Sequence, residues 1–205
     1  MEKSMENVSN QSLPIRQRLR SRASEPGENC DRYFALLRDF YKDKPERPSI
    51  DATFVSPESL PQPQQSLLVH YSDMTSTLGR HYGEPIVLRL LDRHLSPQWY
   101  RRHIVLETAT SRRPVEYGAM RVLLPLLSEA ARAEVLEAKL PLGKILARHG
   151  LNYRHCPGGY FIVQTNKLIE QALNISRPQR LYGRCNCMSD EVGRVVAEVI
   201  EILPP

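Results

Sequence analysis

Two apolar segments of this sequence contain arginines, which in that setting could bind a carboxylate. In YRRHIVLE, the side chains of Tyr100, Arg102 and Ile104 would share one face of a strand and those of Arg101, His103 and Val105 the other, so one of the two arginines points inward if the strand packs on a core. Arg121 has the same setting in AMRVLLP. A buried guanidinium is costly unless an anion pairs with it, and two of them on a hairpin suit bidentate contacts with a carboxylate ligand. An internal glutamate partner or an exposed face explains the pattern equally well.

Two glutamates lie in the last apolar segment, VVAEVIEILPP. Glu198 and Glu201 are three residues apart, so on a strand they point to opposite faces and at most one of them is inward. An inward glutamate could hydrogen-bond a ligand hydroxyl. A glutamate on a solvent face is the alternative.

Other kinds of chemistry have little support. The sequence has no phosphate-binding loop, no dinucleotide fingerprint, no H-E-x-x-H and no G-x-S-x-G motif. Its four cysteines (Cys30, Cys156, Cys185 and Cys187) are too few for a disulfide scaffold at this length. The C-x-C pair lacks the usual zinc spacing, so we interpret these cysteines as small buried hydrophobic residues. We predict no metal and no cofactor.

Length and charge indicate one globular domain with a tail. The chain has 205 residues, 41% of them apolar, and 28 basic against 23 acidic residues, a net charge of +5. This excess is weak evidence for nucleic acid, which we do not predict as a partner, and fits a small anionic ligand equally well. No segment is apolar for the roughly 18–20 residues of a membrane span. No secretory signal is visible, so we expect a cytoplasmic protein, with a monomer favoured.

The chain divides into three parts. Residues 1–28 are predicted to be a disordered tail, residues 29–63 a helix followed by a proline-rich connector, and residues 64–205 a compact domain. Within that domain we expect strands near residues 85–93, 99–107, 115–125, 153–155, 160–165, 181–188 and 195–203. Helices are expected near residues 64–81, with a break near Ser72–Asp73 and a second helix starting at Met74, and near residues 128–138 and 142–149. Residues 166–175 fit a helix or a loop. Neighbouring strands with helices in blocks indicate an α+β fold with a largely antiparallel sheet.

Several ordered blocks resemble the chorismate lyase-like family, the relatives of chorismate pyruvate-lyase. They are SDMTSTLGRHYGEPI, YRRHIVLE, AMRVLLPLLSEAARAEVL, LPLGKIL, and YGRCN followed by the terminal EILPP. No block alone is specific, but their order and spacing match over about residues 64–205. The resemblance implies an antiparallel sheet of about six strands, with helices forming flaps over an internal ligand pocket.

The resemblance also implies an activity and a set of site residues. Family members convert chorismate to 4-hydroxybenzoate and pyruvate without metal or cofactor. The implied substrate-binding residues are Met74, Arg102, Arg121 and Leu142, and the implied catalytic residues are Arg102 with Glu201 or Glu198. Counting from the final prolines favours Glu201. The family's threonine before that glutamate is replaced here by Ile200 or Ala197, according to the register.

We therefore expect a lyase that acts on chorismate. The alternative is a non-enzymatic module of the same fold that binds an aromatic acid or another effector, since this fold also forms the effector-sensing half of some transcription regulators. Residues 1–63 contain one convincing helix rather than the three of a DNA-binding domain, which favours the enzyme.

Overall fold

The computed structural model describes residues 31–45 and 47–205. In chain order the elements are α1 (Asp31–Tyr41), β1 (Ala52–Val55), α2 (Gln64–Leu68), α3 (Met74–Tyr82), β2 (Ile86–Leu95), β3 (Trp99–Thr108), β4 (Pro114–Leu123), α4 (Glu129–Glu137), α5 (Leu142–Arg148), β5 (Arg154–Gln164), α6 (Lys167–Leu173), β6 (Arg180–Ser189) and β7 (Val195–Leu203). Among the described residues, no helix is long and apolar enough to cross a membrane. The predicted tail, residues 1–28, lies outside the described residues.

All strands join one antiparallel sheet in the order β1-β5-β6-β7-β4-β3-β2. This confirms the predicted α+β fold class with a largely antiparallel sheet. The sheet has seven strands rather than about six: the strands expected near residues 153–155 and 160–165 form the single strand β5, and β1 forms within the proline-rich segment and pairs with β5. An edge strand tolerates nearby prolines, since one of its sides needs no hydrogen-bond donors.

Local capping sets the ends of the helices. The Asp73 side chain accepts a hydrogen bond from the Ser76 backbone N–H at the start of α3, and Gly83, with a φ of 69°, ends that helix. Asn166 caps α6 in the same manner by accepting from two backbone N–H groups. Residues 166–175, which the sequence left open between helix and loop, therefore contain a helix.

The two faces of the sheet are covered by different helices. We call the face that carries Arg102 and Glu201 the pocket face, and the face that carries Arg101 and Glu198 the back face. On the back face, α1 and α6 pack against one large apolar cluster of the sheet. On the pocket face, α2 and α3 cover one cluster, while α4 and α5 cover another. The pocket lies between these two clusters.

Helix α1 is part of the core of the sheet domain, although the sequence placed it with the connector. Its apolar residues recur at helical spacing, and six of them are buried: Tyr33, Phe34, Leu36, Leu37, Phe40 and Tyr41. The Tyr41 hydroxyl lies 2.8 Å from the Tyr117 hydroxyl of β4. The domain therefore includes residues N-terminal to position 64.

Replacing Leu37 by alanine is expected to destabilise the protein by about 2–5 kcal/mol, because it leaves a cavity in a well-packed core. Leu37 is fully buried, whereas its neighbour Arg38 pairs with Asp31 on the surface. Arg38→Ala is the matched control and should change the free energy of unfolding by under about 1 kcal/mol. Chemical denaturation measures both. Equal, small effects would show that α1 does not belong to the core.

Candidate functional site

The candidate site is a cavity of about 70 Å³ on the pocket face of the sheet. Strands β2 to β7 supply its floor and walls, and the residues at the start of α3 and of α5 form its cover. Pockets for small molecules usually measure about 300–1,000 Å³. A ligand that fills a pocket of that volume must therefore move the two covering segments apart as it enters.

Arg102 forms one wall of the cavity and is 2% exposed. Its Nε donates to the Met120 Sδ at 3.1 Å, and its Nη1 donates to the Leu140 carbonyl oxygen at 3.1 Å. Within the described part of the chain, no carboxylate lies within ion-pair distance of this guanidinium. Burial lowers the pKa of Arg102 to about 10. A buried charge without a counterion is unfavourable, so this wall favours an anionic ligand.

Glu116 projects into the same cavity from β4 and is buried. Its Oε2 has no hydrogen-bond partner among the described residues. Burial raises its pKa well above the ordinary value, and the charge of Glu201 acts in the same direction, while Arg184 and Arg102 oppose it. Glu116 therefore favours the protonated form, which can donate a hydrogen bond to a ligand.

Arg184 and Glu201 form a buried ion pair between β6 and β7. These residues face each other across the two strands. The Arg184 Nη1 also donates to the carbonyl oxygens of Leu68, at 3.0 Å, and His70, at 3.2 Å. The ion pair thus anchors the segment between α2 and α3, which leads into the cover of the cavity.

A second polar pair, Asn186 and His155, lines the cavity from β6 and β5. The Asn186 Nδ2 lies 2.9 Å from the His155 Nδ1. Because an amide nitrogen only donates, the His155 Nδ1 accepts and the proton resides on Nε2. The Asn186 Oδ1 and the His155 Nε2 have no partner among the described residues. They present one acceptor and one donor to a ligand. Burial, followed by the charge of Arg184, lowers the pKa of His155 and favours this neutral form.

Two short segments meet over the cavity. One is the start of α3 with Asp73 and Met74, and the other is Pro141–Gly143 at the start of α5. A Cβ at Gly143 would lie 2.9 Å from the Tyr153 hydroxyl and 3.6 Å from the Asp73 Cβ. A side chain at this position would therefore displace the Tyr153 hydroxyl, whereas the contact between the two segments at Asp73 has an ordinary van der Waals length. They correspond to the helical flaps that the family resemblance implies.

The structure brings four of the six predicted site residues together and separates the other two. Met74, Arg102, Leu142 and Glu201 all line the cavity. Arg121 and Glu198 lie on the back face, where they form an ion pair with each other. Their placement in a substrate site was wrong, because strand alternation points both side chains away from the cavity.

Glu198 and Arg121 serve a different structural purpose. Arg32 of α1 also pairs with Glu198, at 3.0 Å, and the Arg121 guanidinium stacks 4.7 Å from the centre of the Trp99 ring. These contacts fasten α1 and the end of β3 to the back of the sheet.

Sequence reasoning missed four polar residues of the site. Glu116, His155 and Asn186 line the cavity, and Arg184 pairs with Glu201. Arg184 and Asn186 lie in the YGRCN block, but the sequence assigned neither of them to the site. Strand alternation provides a partial signal: Glu116 and Met120 flank Gly118 on the face that also carries Arg102. Among the described residues, no group of three or more His, Cys, Asp or Glu side chains could hold a metal ion.

Comparison with known proteins supports the fold and corrects the activity. No family model and no curated protein matches the sequence. The structure is similar to that of PhnF from Mycobacterium smegmatis, with a TM-score of 0.54 and 9% identity over 66% of this chain and 64% of that one. It is similar to the PhnF effector domain, with a TM-score of 0.53 and 10% identity over 64% of this chain and 87% of that one. A GntR-family transcriptional regulator from Bacillus cereus has a TM-score of 0.45, with 11% identity over 58% of this chain and 92% of that one.

The chain thus spans just under two thirds of the length of full PhnF. At these identities the likeness establishes the fold alone. The predicted lyase activity, with its chorismate substrate and its 4-hydroxybenzoate and pyruvate products, is contradicted, because the solved structures that this chain resembles are those of PhnF and its effector domain and not of a lyase. Of the two glutamates considered for catalysis, Glu198 is remote from the cavity and Glu201 is held in an ion pair.

Proposed function

We propose that this chain is a non-enzymatic effector-binding module. Its ligand is a small carboxylic acid, of which an aromatic acid is the main example. The observation that carries the proposal is Arg102, a buried guanidinium that faces a cavity with no carboxylate partner in the described part of the chain. A ligand carboxylate could accept two parallel hydrogen bonds from it. The likeness to a solved effector domain agrees with this function.

The rest of the cavity suits a flat, mainly apolar body with a polar group. Leu88, Ile104, Leu106, Met120 and Val199 supply apolar surface. Methionine adapts its shape easily and makes favourable contacts with aromatic rings. The unpartnered atoms of Glu116, Asn186 and His155 offer both donors and acceptors. A ring hydroxyl could satisfy some of them, since a hydroxyl both donates and accepts.

Binding of such a ligand has a direct route to a conformational response. The cavity is too small for a ring compound until the segments at Met74 and Leu142 move apart. The first segment is linked through the loop at His70 to the Arg184–Glu201 pair. A ligand that binds only the open arrangement shifts the population toward it, as effector binding requires.

The proposal is tested by calorimetric titration with three related probes: 4-hydroxybenzoate, benzoate and 4-hydroxybenzamide. We expect 4-hydroxybenzoate to bind most tightly, and the amide to bind at least tenfold more weakly, because it lacks the charge that pairs with Arg102. Benzoate should fall between them, since it leaves the hydroxyl-binding atoms unpartnered. The proposal fails if the amide binds as well as the acid, or if neither acid binds.

A further inference from the structure

Two cysteines face each other on neighbouring strands at the edge of the back face. Cys156 of β5 lies directly opposite Cys187 of β6 in the antiparallel register. Opposed residues in such a pair have Cα atoms about 4.5 or 5.5 Å apart. Both separations fall within the range of about 4.4–6.8 Å that disulfide bonds span. The backbone therefore already holds the two residues at a distance suited to a disulfide bond.

The side chains of the two cysteines also converge. The Cys156 Sγ lies 4.0 Å from the Ser189 Oγ, and Cys187 interacts with both Cys156 and Ser189. Both thiols are free, and Cys156 is exposed whereas Cys187 is buried. One thiol is thus open to an oxidant, and the other is placed to attack the oxidised sulfur.

We propose that Cys156 and Cys187 are a redox modification site that forms a reversible intrachain disulfide when a peroxide reaches the protein. The exposed Cys156 sulfur attacks hydrogen peroxide, breaks its O–O bond and becomes a sulfenic acid, and one water leaves. The Cys187 sulfur then attacks the Cys156 sulfur, the S–O bond breaks and a second water leaves. The two thiols lose two electrons and two protons in total, and the peroxide is reduced to two waters.

The position of this pair ties it to the cavity on the other side of the sheet. Cys156 follows His155 in β5, and Cys187 follows Asn186 in β6. His155 and Asn186 form the hydrogen bond that lines the cavity. A disulfide on the back face would therefore fix the spacing of the two strands next to that polar pair. A reduced chain lacks this constraint, so oxidation state and pocket geometry are coupled.

The local chemistry sets the pH dependence of the reaction. Burial raises the pKa of Cys187 to about 11, the neighbouring Cys156 acts in the same direction, and Ser189 and Arg32 oppose it. The second step uses the Cys187 thiolate, whose fraction is small at neutral pH and grows as the pH rises. We therefore expect the disulfide to form faster at pH 9 than at pH 7.

The test treats the reduced full-length protein with hydrogen peroxide and maps its tryptic peptides by mass spectrometry. The protein used in this test carries the substitution Cys30→Ser, so that the thiol of Cys30 cannot compete for the oxidised sulfur. The expected product is a link between the peptides of residues 155–167 and 185–194, formed with loss of two hydrogens per chain and reversed by dithiothreitol. The second peptide also contains Cys185, so the mass of the link alone does not identify the partner of Cys156.

Two matched variants resolve that ambiguity. Cys187→Ala should abolish the link, whereas Cys185→Ala should retain it, because Cys185 lies opposite Gly159 in the register. If Cys187→Ala unfolds the protein, Cys185→Ala decides by itself, because Cys187 is then the one cysteine left in the peptide of residues 185–194. A link that survives Cys187→Ala would overturn the proposal. So would irreversible sulfinic acid on Cys156 without a link, or a disulfide between two chains.

Discussion

Replacing Arg102 by methionine is expected to abolish carboxylate binding and at the same time to stabilise the unliganded protein. The two effects have one cause, the burial of an unpaired guanidinium on the wall of the cavity. Loss of the charge-assisted hydrogen bonds should weaken binding of 4-hydroxybenzoate by about 100-fold or more, which corresponds to roughly 3 kcal/mol. Methionine has a similar length and removes the charge without leaving a large cavity.

The gain in stability follows from the energy of the buried charge. Burial lowers the pKa of Arg102 from 12.5 to about 10, and a shift of this size corresponds to about 3 kcal/mol of lost solvation. The variant also loses the hydrogen bond to the Leu140 carbonyl, which is worth about 1 kcal/mol. The net stabilisation is therefore about 2 kcal/mol, or a rise in melting temperature of about 4–8 °C for a chain of this size.

Arg101 provides a matched control in the adjacent position. Its side chain points to the back face, is partly exposed and pairs with Asp39 at 2.7 Å. Arg101→Met should leave the affinity for 4-hydroxybenzoate unchanged and should alter stability by at most about 1 kcal/mol, the usual value of a surface ion pair. Calorimetry and thermal unfolding measure both properties. If Arg102→Met lowers the melting temperature more than Arg101→Met does, a group of the protein already neutralises Arg102. The proposed carboxylate site would then be wrong.

The contrast between these adjacent arginines shows how far the sequence alone could lead. Strand alternation establishes that Arg101 and Arg102 lie on opposite faces, and the family resemblance selected Arg102 for the pocket. Alternation also separates Glu198 from Glu201. The same rule could not exclude Arg121, because nothing in the sequence assigned a residue of its strand to the pocket face. The resemblance placed it in the pocket by its distance from Pro125.

The missed residues depend on strand order, which a single sequence does not specify. Arg184 meets Glu201 because β6 lies beside β7, and Glu116 reaches the cavity because β4 lies between β3 and β7. Arg184 and Glu201 are 17 residues apart on consecutive strands, so the register between β6 and β7 decides that they pair, and the sequence pattern does not specify that register. Likewise, the proline-rich segment gave no signal for β1, whose place depends on the edge that β5 leaves open.

The second prediction with a large effect compares Glu201 and Glu116, two buried glutamates that lie close together. Glu201 pairs with an arginine, whereas Glu116 favours its neutral form. Glu201 pairs with Arg184, and both are buried. Glu201→Gln removes one partner and leaves a buried, uncompensated guanidinium, so we expect a loss of about 3–5 kcal/mol at pH 7. Glu116→Gln replaces a carboxyl that favours its neutral form with a neutral amide of the same shape. It should change stability at acidic pH by under about 1 kcal/mol.

The pH dependence of Glu116→Gln distinguishes the two residues further. The pKa of Glu116 is raised in the folded protein above its ordinary value of 4.5. The folded state therefore retains a proton that the unfolded state loses, and its stability is greatest below pH 4.5 and falls as the pH rises toward the folded-state pKa. The slope approaches about 1.4 kcal/mol per pH unit. Glu116→Gln removes this pH-dependent contribution to the free energy of unfolding, so the variant should become more stable than the natural sequence as the pH increases.

Measuring the difference between the natural sequence and Glu116→Gln isolates this group from the others that titrate. Burial lowers the pKa values of His70, His103 and His155, so these residues oppose folding as the pH falls below about 6.5. Their contributions are present in both proteins and cancel in the difference. Urea denaturation at a series of pH values from 4 to 9 gives that difference directly. The prediction is contradicted if this difference in stability does not change with pH, or if Glu116→Gln destabilises the protein at pH 7 as much as Glu201→Gln does. In either case Glu116 is a paired carboxylate and does not donate a hydrogen bond to the ligand.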